Sequence, residues 1–185
     1  ATRPCLLNPN RNGAVSTAWM EAQLRTHLGI ERFLWLEHGA LEGDDTDGHI
    51  DTLARFCNEK RIVYQGCDDP MDSHYTELQA MGRELAALKQ PDGTAYQLTA
   101  LPWPDPVHGS DGRRLPATYA NFLITNHAVL VPTYGAPQDR AACETLSACF
   151  PDRRVMPVHC RPLLEQGGSL HCLTMQLPPG VGANE

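Results

Sequence analysis

The segment HGALEGDDTDGHID, residues 38–51, concentrates five carboxylates and two histidines in fourteen positions. Such a segment could be a metal-binding loop, a solvated acidic turn or one wall of an active site. An EF-hand calcium loop needs oxygen ligands at positions one and twelve, with glycine at six. Placing Gly48 at position six puts Gly43 at one and Ala54 at twelve, so the calcium template fails at both ends.

His49 and Asp51 are the two residues of this segment that a plain turn explains least well. Asp and Gly are common turn residues, so a solvated turn accounts for Asp44, Asp45 and Asp47. His49 and Asp51 stand where the turn becomes a β-rich run, and alternate residues of a strand face the same side of a sheet. The pattern therefore predicts that these two side chains point the same way into a site.

A zinc or two-metal hydrolase built on His49 and Asp51 is one alternative. Metal sites need three or four grouped ligands, and the further histidines are not grouped: His159 and His171 each stand alone beside a cysteine. The histidine pattern favours a site without a metal.

The segment EQGGSLHCLT, residues 165–174, is the second candidate for chemistry. Paired glycines, Gly167 and Gly168, let the backbone approach a ligand closely, and a strand after them would expose Cys172 near a sheet end. A lone cysteine is usually a small buried hydrophobic residue, which suits Cys57, Cys143 and Cys149. Cys172 differs because the chain also offers a His and an Asp, the partners that a thiolate mechanism needs.

Composition restricts the class of protein. The 185 residues carry a net charge of −7 with scattered Lys and Arg, which argues against nucleic acid as a partner and suits a cationic ligand. Seven irregularly spaced cysteines give neither a paired disulfide framework nor zinc spacing, so reduced thiols in the cytoplasm are predicted. No run approaches the ~20 apolar residues of a membrane helix, and no signal peptide is seen.

Apolar spacing predicts three helices. The first runs from about Ser16 to Leu28, with Gly29 as its stop, and the second from about Ser73 to Lys89. The third follows Pro137, with inward-facing residues Ala142, Leu146 and Phe150.

Short β-rich runs lie between the helices: CLLN, FLWL, RIVYQ, AYQLTAL, NFLIT, AVLVP and RVMPV. Two hairpins are predicted, IDTLARF with RIVYQ across residues 58–60, and YANFLIT with AVLVPTY across residues 126–127. The order hairpin, helix, strand occurs twice, which indicates a repeated unit.

The repeat divides the chain into approximate units at 1–48, 49–110, 111–160 and 161–185. The first unit lacks its opening strand, and LHCLTMQLPP looks like a piece of a further unit. A repeat that begins within a unit leaves an unpaired sheet edge, so the chain is expected to lack an N-terminal part.

Five segments together carry a resemblance to a known family: NPNRN, GDDTDGHIDTLARF, LPATYANFL, VPTYG and GSLHCLTMQLP. In this order the chain resembles the agmatine deiminase and bacterial peptidyl-arginine deiminase family of the guanidine-modifying pentein superfamily. The resemblance implies an α/β fold, a pentein-type propeller of ββαβ units, here with an incomplete set of blades. Family members are longer, and their early Asp and Glu-Gly-Gly stretch are absent here, so only their C-terminal part is matched.

The resemblance also implies roles for individual residues. Cys172 matches the nucleophile, His49 the general acid/base, and Asp51 a carboxylate that binds the guanidinium. Substrate-binding roles are expected for Asp51, Asp45, Gly167 and Gly168.

The implied reaction is hydrolysis of agmatine to N-carbamoylputrescine and ammonia, in polyamine synthesis or arginine-derived catabolism. No metal or organic cofactor is implied. Two alternatives remain open: a peptidyl-arginine deiminase, or a catalytically incomplete chain that binds its missing N-terminal segment or forms a homo-oligomer. The isolated chain is expected to show little or no turnover.

Overall fold

A computed structural model describes residues 1–177. The chain is a mixed α/β structure with two three-stranded sheets, each of which combines one antiparallel and one parallel strand pair. The helices are α1 (Arg3–Leu6), α2 (Pro9–Asn12), α3 (Thr17–Leu28), α4 (Tyr75–Ala87), α5 (Asp139–Cys149) and α6 (Arg161–Leu164). The strands are β1 (Ala54–Asn58), β2 (Arg61–Gln65), β3 (Gln97–Leu101), β4 (Leu123–Ile124), β5 (Ala128–Thr133) and β6 (Arg154–His159).

The two sheets repeat one connection. In the first, β1 pairs antiparallel with β2, the chain crosses through α4, and β3 returns parallel to β2. In the second, β4, β5, α5 and β6 follow the same path. A parallel pair needs such a long crossover, which a helix supplies. The predicted ββαβ order is therefore present twice.

The three predicted helices are present near their predicted bounds. The Ser16 side chain accepts from Trp19 N at 3.2 Å and caps α3, while Gly29 ends that helix with φ +67°. On α5, Ala142 and Leu146 are fully buried, as the apolar spacing predicted.

Both predicted hairpins form, but the first strand of each begins later than predicted. Residues Ile50–Thr52 make a short 3-10 helix before β1, where Thr52 Oγ1 donates to His49 O at 2.8 Å. His49 and Asp51 are therefore not alternate residues of one strand. The prediction that Cys172 lies on a strand is also wrong, because His171–Leu173 forms a second 3-10 helix after the paired glycines.

The predicted strand CLLN is wrong. Pro4 sits in the first turn of α1, where its fixed φ suits a helix, and Cys5 is buried on that helix. FLWL forms no regular strand; only Leu36 makes an isolated parallel bridge with Thr2. The predicted unit 161–185, with the end of LHCLTMQLPP, extends beyond the described residues.

Two apolar clusters hold the sheets and helices together. One packs α4 against the first sheet through Leu53, Ile62, Leu78, Met81 and Leu85. The larger one joins both sheets, because it contains Val63 and Leu101 of the first together with residues Tyr119, Phe122, Val129, Val131, Leu146 and Phe150. This shared core fixes the loops of the two units relative to each other.

Candidate active site

Cys172, Asp51 and two histidines meet at one place, although they are far apart in the chain. Cys172 Sγ lies 3.6 Å from Asp51 Oδ2. His171 Nδ1 lies 2.8 Å from the same carboxylate oxygen, and His49 Nδ1 lies 2.8 Å from the other, Oδ1. An exposed thiol, a buried carboxylate and two imidazoles therefore share one cluster.

Asp51 is 5% exposed, and its carboxylate oxygen Oδ1 lies 2.8 Å from His49 Nδ1. His49 is close to Oδ1 but is not aligned for a hydrogen bond, so this buried oxygen has no hydrogen-bond partner in the described part of the chain. A buried carboxylate oxygen without a partner is costly unless a ligand supplies a donor.

The protonation of the cluster follows from these contacts. Burial alone would raise the pKa of Asp51, but His49 and His171 outweigh it and hold that pKa well below its ordinary value. The nearby Asp51 carboxylate raises the pKa of His49 against the opposing effect of burial. Asp51 is consequently an anion at neutral pH.

The Cys172 thiol is held in its protonated form. The residue is exposed as a whole, yet the protein around its sulfur raises the thiol pKa by burial, and the negative charge of Asp51 raises it further. Hydrogen bonds from the Ser169 backbone and from the Asn121 amide act in the opposite direction without reversing the shift. A nucleophile of this kind needs an added positive charge to ionise near neutral pH.

The two glycines lie between Asp45 and the thiol. Gly167 has φ +83°, and a Cβ there would lie 3.1 Å from Asp45 Oδ2. A Cβ at Gly168 would lie 3.1 Å from Cys172 Cβ. The structure thus brings every sequence-predicted site residue to one region, while substrate binding by Asp45 and the glycines stays a prediction.

The other acidic residues of the 38–51 segment shape the loop. Asp44 accepts hydrogen bonds from Thr46 N at 3.0 Å and Gly48 N at 2.8 Å, an arrangement typical of turns. Asp47 accepts from Asn8 Nδ2 at 2.7 Å. Within residues 1–177, no group of three His, Cys, Asp or Glu side chains is placed to hold a metal ion.

Helix α4 fixes the chain that leads into this loop. Glu84 accepts from the N–H groups of Glu37 and His38 at 2.9 and 3.3 Å, and Glu77 accepts from those of residues 39 and 40 at 2.9 and 3.3 Å. His74 Nε2 accepts from Glu42 N at 2.8 Å. Side chains of α4 and of the residue before it therefore bind five backbone N–H groups of residues 37–42.

Two members of the cluster were missed by sequence reasoning. His171 was counted as an isolated histidine, although it precedes Cys172 directly. Asn121, which is fully buried, donates to Asp51 Oδ2 at 3.1 Å and to Cys172 Sγ at 3.2 Å. It lies within LPATYANFL, and its distance in sequence from both partners hid its role.

Comparison with known proteins identifies the family. Residues 1–178 match the Porphyromonas-type peptidyl-arginine deiminase family model. The chain belongs to this family. Its resemblance to agmatine deiminases and bacterial peptidyl-arginine deiminases is thereby confirmed.

Individual family members are similar over nearly all of this chain. The agmatine deiminase of Stutzerimonas stutzeri is 36% identical over 194 residues, which cover 96% of this chain and 52% of that protein. A solved Porphyromonas gingivalis protein matches with a TM-score of 0.94 and 52% identity, over 97% of this chain and 53% of that one. A C. jejuni agmatine deiminase, solved with its substrate bound, matches with a TM-score of 0.84 and 40% identity, over 92% of this chain and 49% of that one. The chain spans about half the length of the relatives that it matches.

Membrane insertion is not indicated by the helices. Every helix among residues 1–177 is too short or too polar to cross a bilayer.

Proposed function

We propose that this chain carries the nucleophilic half of a guanidinium-deiminating hydrolase whose substrate is agmatine. The products are N-carbamoylputrescine and ammonia. The observation that carries the proposal is the meeting of Cys172 Sγ with the Asp51 carboxylate at 3.6 Å, beside His49 and His171. The similarity to agmatine deiminases supports the choice of substrate.

Asp51 is suited to bind the guanidinium. This group is planar, cationic and rich in N–H donors, so a carboxylate accepts from it with paired, charge-assisted hydrogen bonds. Asp51 Oδ1 lies beside His49 but receives no aligned hydrogen bond in the described residues, and it would accept one of these N–H groups. The Asp51 carboxylate thereby binds the guanidinium cation and positions its carbon near the sulfur.

The bound cation also activates the thiol. In the free protein, burial and the Asp51 charge keep the pKa of Cys172 raised. A guanidinium neutralises Asp51 and places positive charge beside the sulfur, which favours the thiolate. Substrate binding therefore generates the nucleophile where it is used.

The reaction then proceeds in two balanced halves. The thiolate forms an S–C bond to the guanidinium carbon, a C–N bond breaks, and protonated His49 gives its proton to the departing ammonia. His49 next takes a proton from water, whose oxygen attacks the same carbon. The C–S bond breaks and the thiolate returns, the second proton of the water leaves the new oxygen for the solvent, and the neutral ureido product departs. The protein needs no oxidant and no cofactor for these steps.

We place this chain in a pentein-type propeller built from ββαβ units. The two repeated sheet units and the match over half of each relative support this placement. The resemblance puts a second guanidinium-binding carboxylate outside these 185 residues. We therefore expect little turnover by the chain alone and restored turnover when a polypeptide carrying the remaining units is added.

The test is a single-turnover assay with agmatine, with and without the first half of a relative. Ammonia and ureido product are measured, and the protein is digested after an acid quench to locate any covalent adduct. We expect the adduct on Cys172. In Cys172→Ala, both the adduct and the product should be absent. Cys143→Ala on α5 is the matched control and should behave as the unaltered protein. Ammonia release that is equal in Cys172→Ala would refute the assignment.

Peptidyl-arginine is the second candidate substrate, because the matching family model is described by that activity. Both substrates present the same guanidinium and differ in the group that carries it, a short free amine in one and a peptide in the other. Comparing kcat/KM for agmatine and for an N-acylated arginine amide decides between them.

A second candidate function is association without independent catalysis. Within the described residues β1 is a sheet edge, and its Phe56 is 49% exposed beside apolar grooves of about 300 and 260 Å³. Exposed strand edges pair readily with other chains. Native mass measurement tests this: a stable 20.4 kDa monomer opposes it, and a homo-oligomer or a complex with a second chain supports it.

Stoichiometric zinc on elemental analysis would instead favour the metal hydrolase alternative.

A further inference from the structure

His74 is a buried histidine outside the candidate site, and it binds Glu42, the residue before the acidic loop of residues 43–51. It is 4% exposed and immediately precedes α4. Its Nδ1 lies 2.8 Å from Asp72 Oδ1, and its Nε2 accepts from Glu42 N at 2.8 Å. Both ring nitrogens are thus in use, one toward a carboxylate and one toward a backbone N–H group.

These two contacts fix the tautomer of the imidazole. The carboxylate of Asp72 can only accept, so the proton of the neutral ring must lie on Nδ1. The N–H group of Glu42 can only donate, so Nε2 must carry the lone pair. The other neutral tautomer would break both hydrogen bonds. Protonation at Nε2 would place two donors against each other and break the bond to Glu42.

Further contacts close a ring around the start of the acidic loop. Arg114 Nη2 donates to Asp72 Oδ2 at 2.6 Å, and Trp103 Nε1 donates to the same oxygen at 2.9 Å. Gly43 passes so close to the Arg114 carbonyl that a Cβ on this glycine would clash with it. The imidazole, its carboxylate and the guanidinium therefore enclose the chain at the point where the loop begins.

Hydrogen bonds inside the acidic loop extend this placement to the candidate site. Asp44 accepts from Thr46 N at 3.0 Å and from Gly48 N at 2.8 Å. The Thr46 hydroxyl in turn accepts from His49 N at 3.3 Å. The chain from the start of the loop to His49 is therefore a series of bonded turns, and its position depends on how its first residues are held.

We propose that His74 is a positioning residue whose neutral Nδ1–H form fixes the start of the acidic loop, and that protonation at Nε2 releases Glu42 and with it the fixed placement of His49. Its importance for turnover rests on the proposed function. The tautomer and the release of Glu42 do not, because they follow from the contacts alone. Acid should therefore impair the site through a residue that does not touch the substrate.

Several charged and polar groups face this histidine. Asp72, two residues before it, attracts an imidazolium, whereas Arg114 from the segment between β3 and β4 opposes it. The Trp103 ring centroid lies 4.9 Å from that of the imidazole. Asp105 lines the same small cavity and accepts from the Gln138 side chain at 2.7 Å. Replacing the histidine leaves all of these groups in the chain, so the loss of an acid transition reports on the imidazole.

The first experiment observes the imidazole in the unaltered 185-residue chain. Long-range ¹H–¹⁵N spectra at pH 8 should show His74 with Nδ1 protonated and Nε2 unprotonated. Between pH 8 and pH 5, where histidines titrate, the backbone resonance of Glu42 should shift at the midpoint at which Nε2 gains its proton. A protonated Nε2 at pH 8, or a Glu42 resonance that does not follow this midpoint, would overturn the proposal.

The second experiment compares two variants. His74→Gln keeps an acceptor for Glu42 and a donor for Asp72 but does not titrate, whereas His74→Leu removes both groups. We expect the Glu42 N–H to exchange roughly tenfold faster in His74→Leu and to stay within about threefold of the unaltered rate in His74→Gln. Equal exchange in all three proteins contradicts the proposal. His27→Gln, an exposed change on α3, is the matched control and should leave the exchange rate and the acid transition unchanged. If His74→Leu fails to fold, the spectra of the unaltered chain and of His74→Gln still decide.

The third experiment measures kcat/KM for agmatine between pH 5 and pH 8, with the first half of a relative added. At pH 5.5, His74→Gln should retain an at least about threefold larger share of its own pH 8 activity than the unaltered protein does. The other titrating histidines near the site, His38, His49 and His171, are the same in both proteins. Identical acid limbs would count against His74. A protein that never deiminates agmatine, yet shows the expected tautomer and Glu42 shift, would count against the proposed function only.

Discussion

Replacing Asp51 with Asn is expected to make Cys172 more reactive while abolishing deimination. The carboxylate oxygen lies 3.6 Å from the sulfur, so removing its charge removes a repulsion that the thiolate otherwise meets. Two unit charges at that separation repel by about 1 kcal/mol in a water-like medium, and this is a lower bound because Asp51 is buried. Since ~1.4 kcal/mol corresponds to one pKa unit, the thiol pKa should fall by about one unit or more.

The comparison is made at alkaline pH, because the pKa of Cys172 is raised from an ordinary value that is already alkaline. The assay is the pH profile of Cys172 alkylation, and Asp47→Asn, an exposed change on the same loop, is the control. Turnover should be lost because the guanidinium has lost its carboxylate. A midpoint that rises or stays constant in Asp51→Asn would refute this electrostatic account.

Three further predictions concern stability and the glycine approach. The Asp72 side chain is 6% exposed and lies 2.6 Å from the Arg114 guanidinium, which helps to hold the pKa of Asp72 well below the ordinary value against the effect of burial. The ion pair contributes to stability above the ordinary carboxyl pKa, and this contribution is lost as the pH falls through the lowered pKa of the folded state. Asp72→Asn should therefore lower the free energy of unfolding by about 3 kcal/mol at pH 7 and by much less in acid. Urea unfolding measures this, with exposed Asp68→Asn as the control. Phe150→Ala, which removes a ring that is 1% exposed, should lower the free energy of unfolding by about 3–5 kcal/mol, and a loss under 1 kcal/mol would contradict the packing. Gly167→Ala should cost about 1–2 kcal/mol because φ is +83°, and should slow Cys172 alkylation; an unaltered rate and unfolding midpoint would contradict this.

The sequence was informative where a pattern is local. Helices α3, α4 and α5 follow from apolar spacing, and their ends from capping residues such as Ser16 and Gly29. The hairpins follow from alternating runs separated by turns. The family motifs brought His49, Asp51 and Cys172 together, and the structure places them within one cluster.

The remaining features depend on contacts that a local pattern does not contain. The four-residue run CLLN is too short to distinguish a strand from a buried helical turn, and Pro4 decided for the helix. Asp51 contacts both His49 and the thiol from a 3-10 turn, in which the Thr52 hydroxyl donates to His49 O. Asn121 was not predicted because its partners lie 70 and 51 residues away in the chain.

The hydrogen bonds that α4 and the residue before it make to residues 37–42 should slow the motion of that segment. These residues form no helix or sheet ladder, apart from the isolated bridge at Leu36 beside them, yet five of their N–H groups are bonded to side chains of a packed helix and the residue before it. Hydrogen exchange in this irregular stretch should therefore be slow and should track the opening of α4 rather than that of the loop. This irregular segment should therefore stay in place for as long as α4 stays folded. It holds the start of the acidic loop in a fixed position.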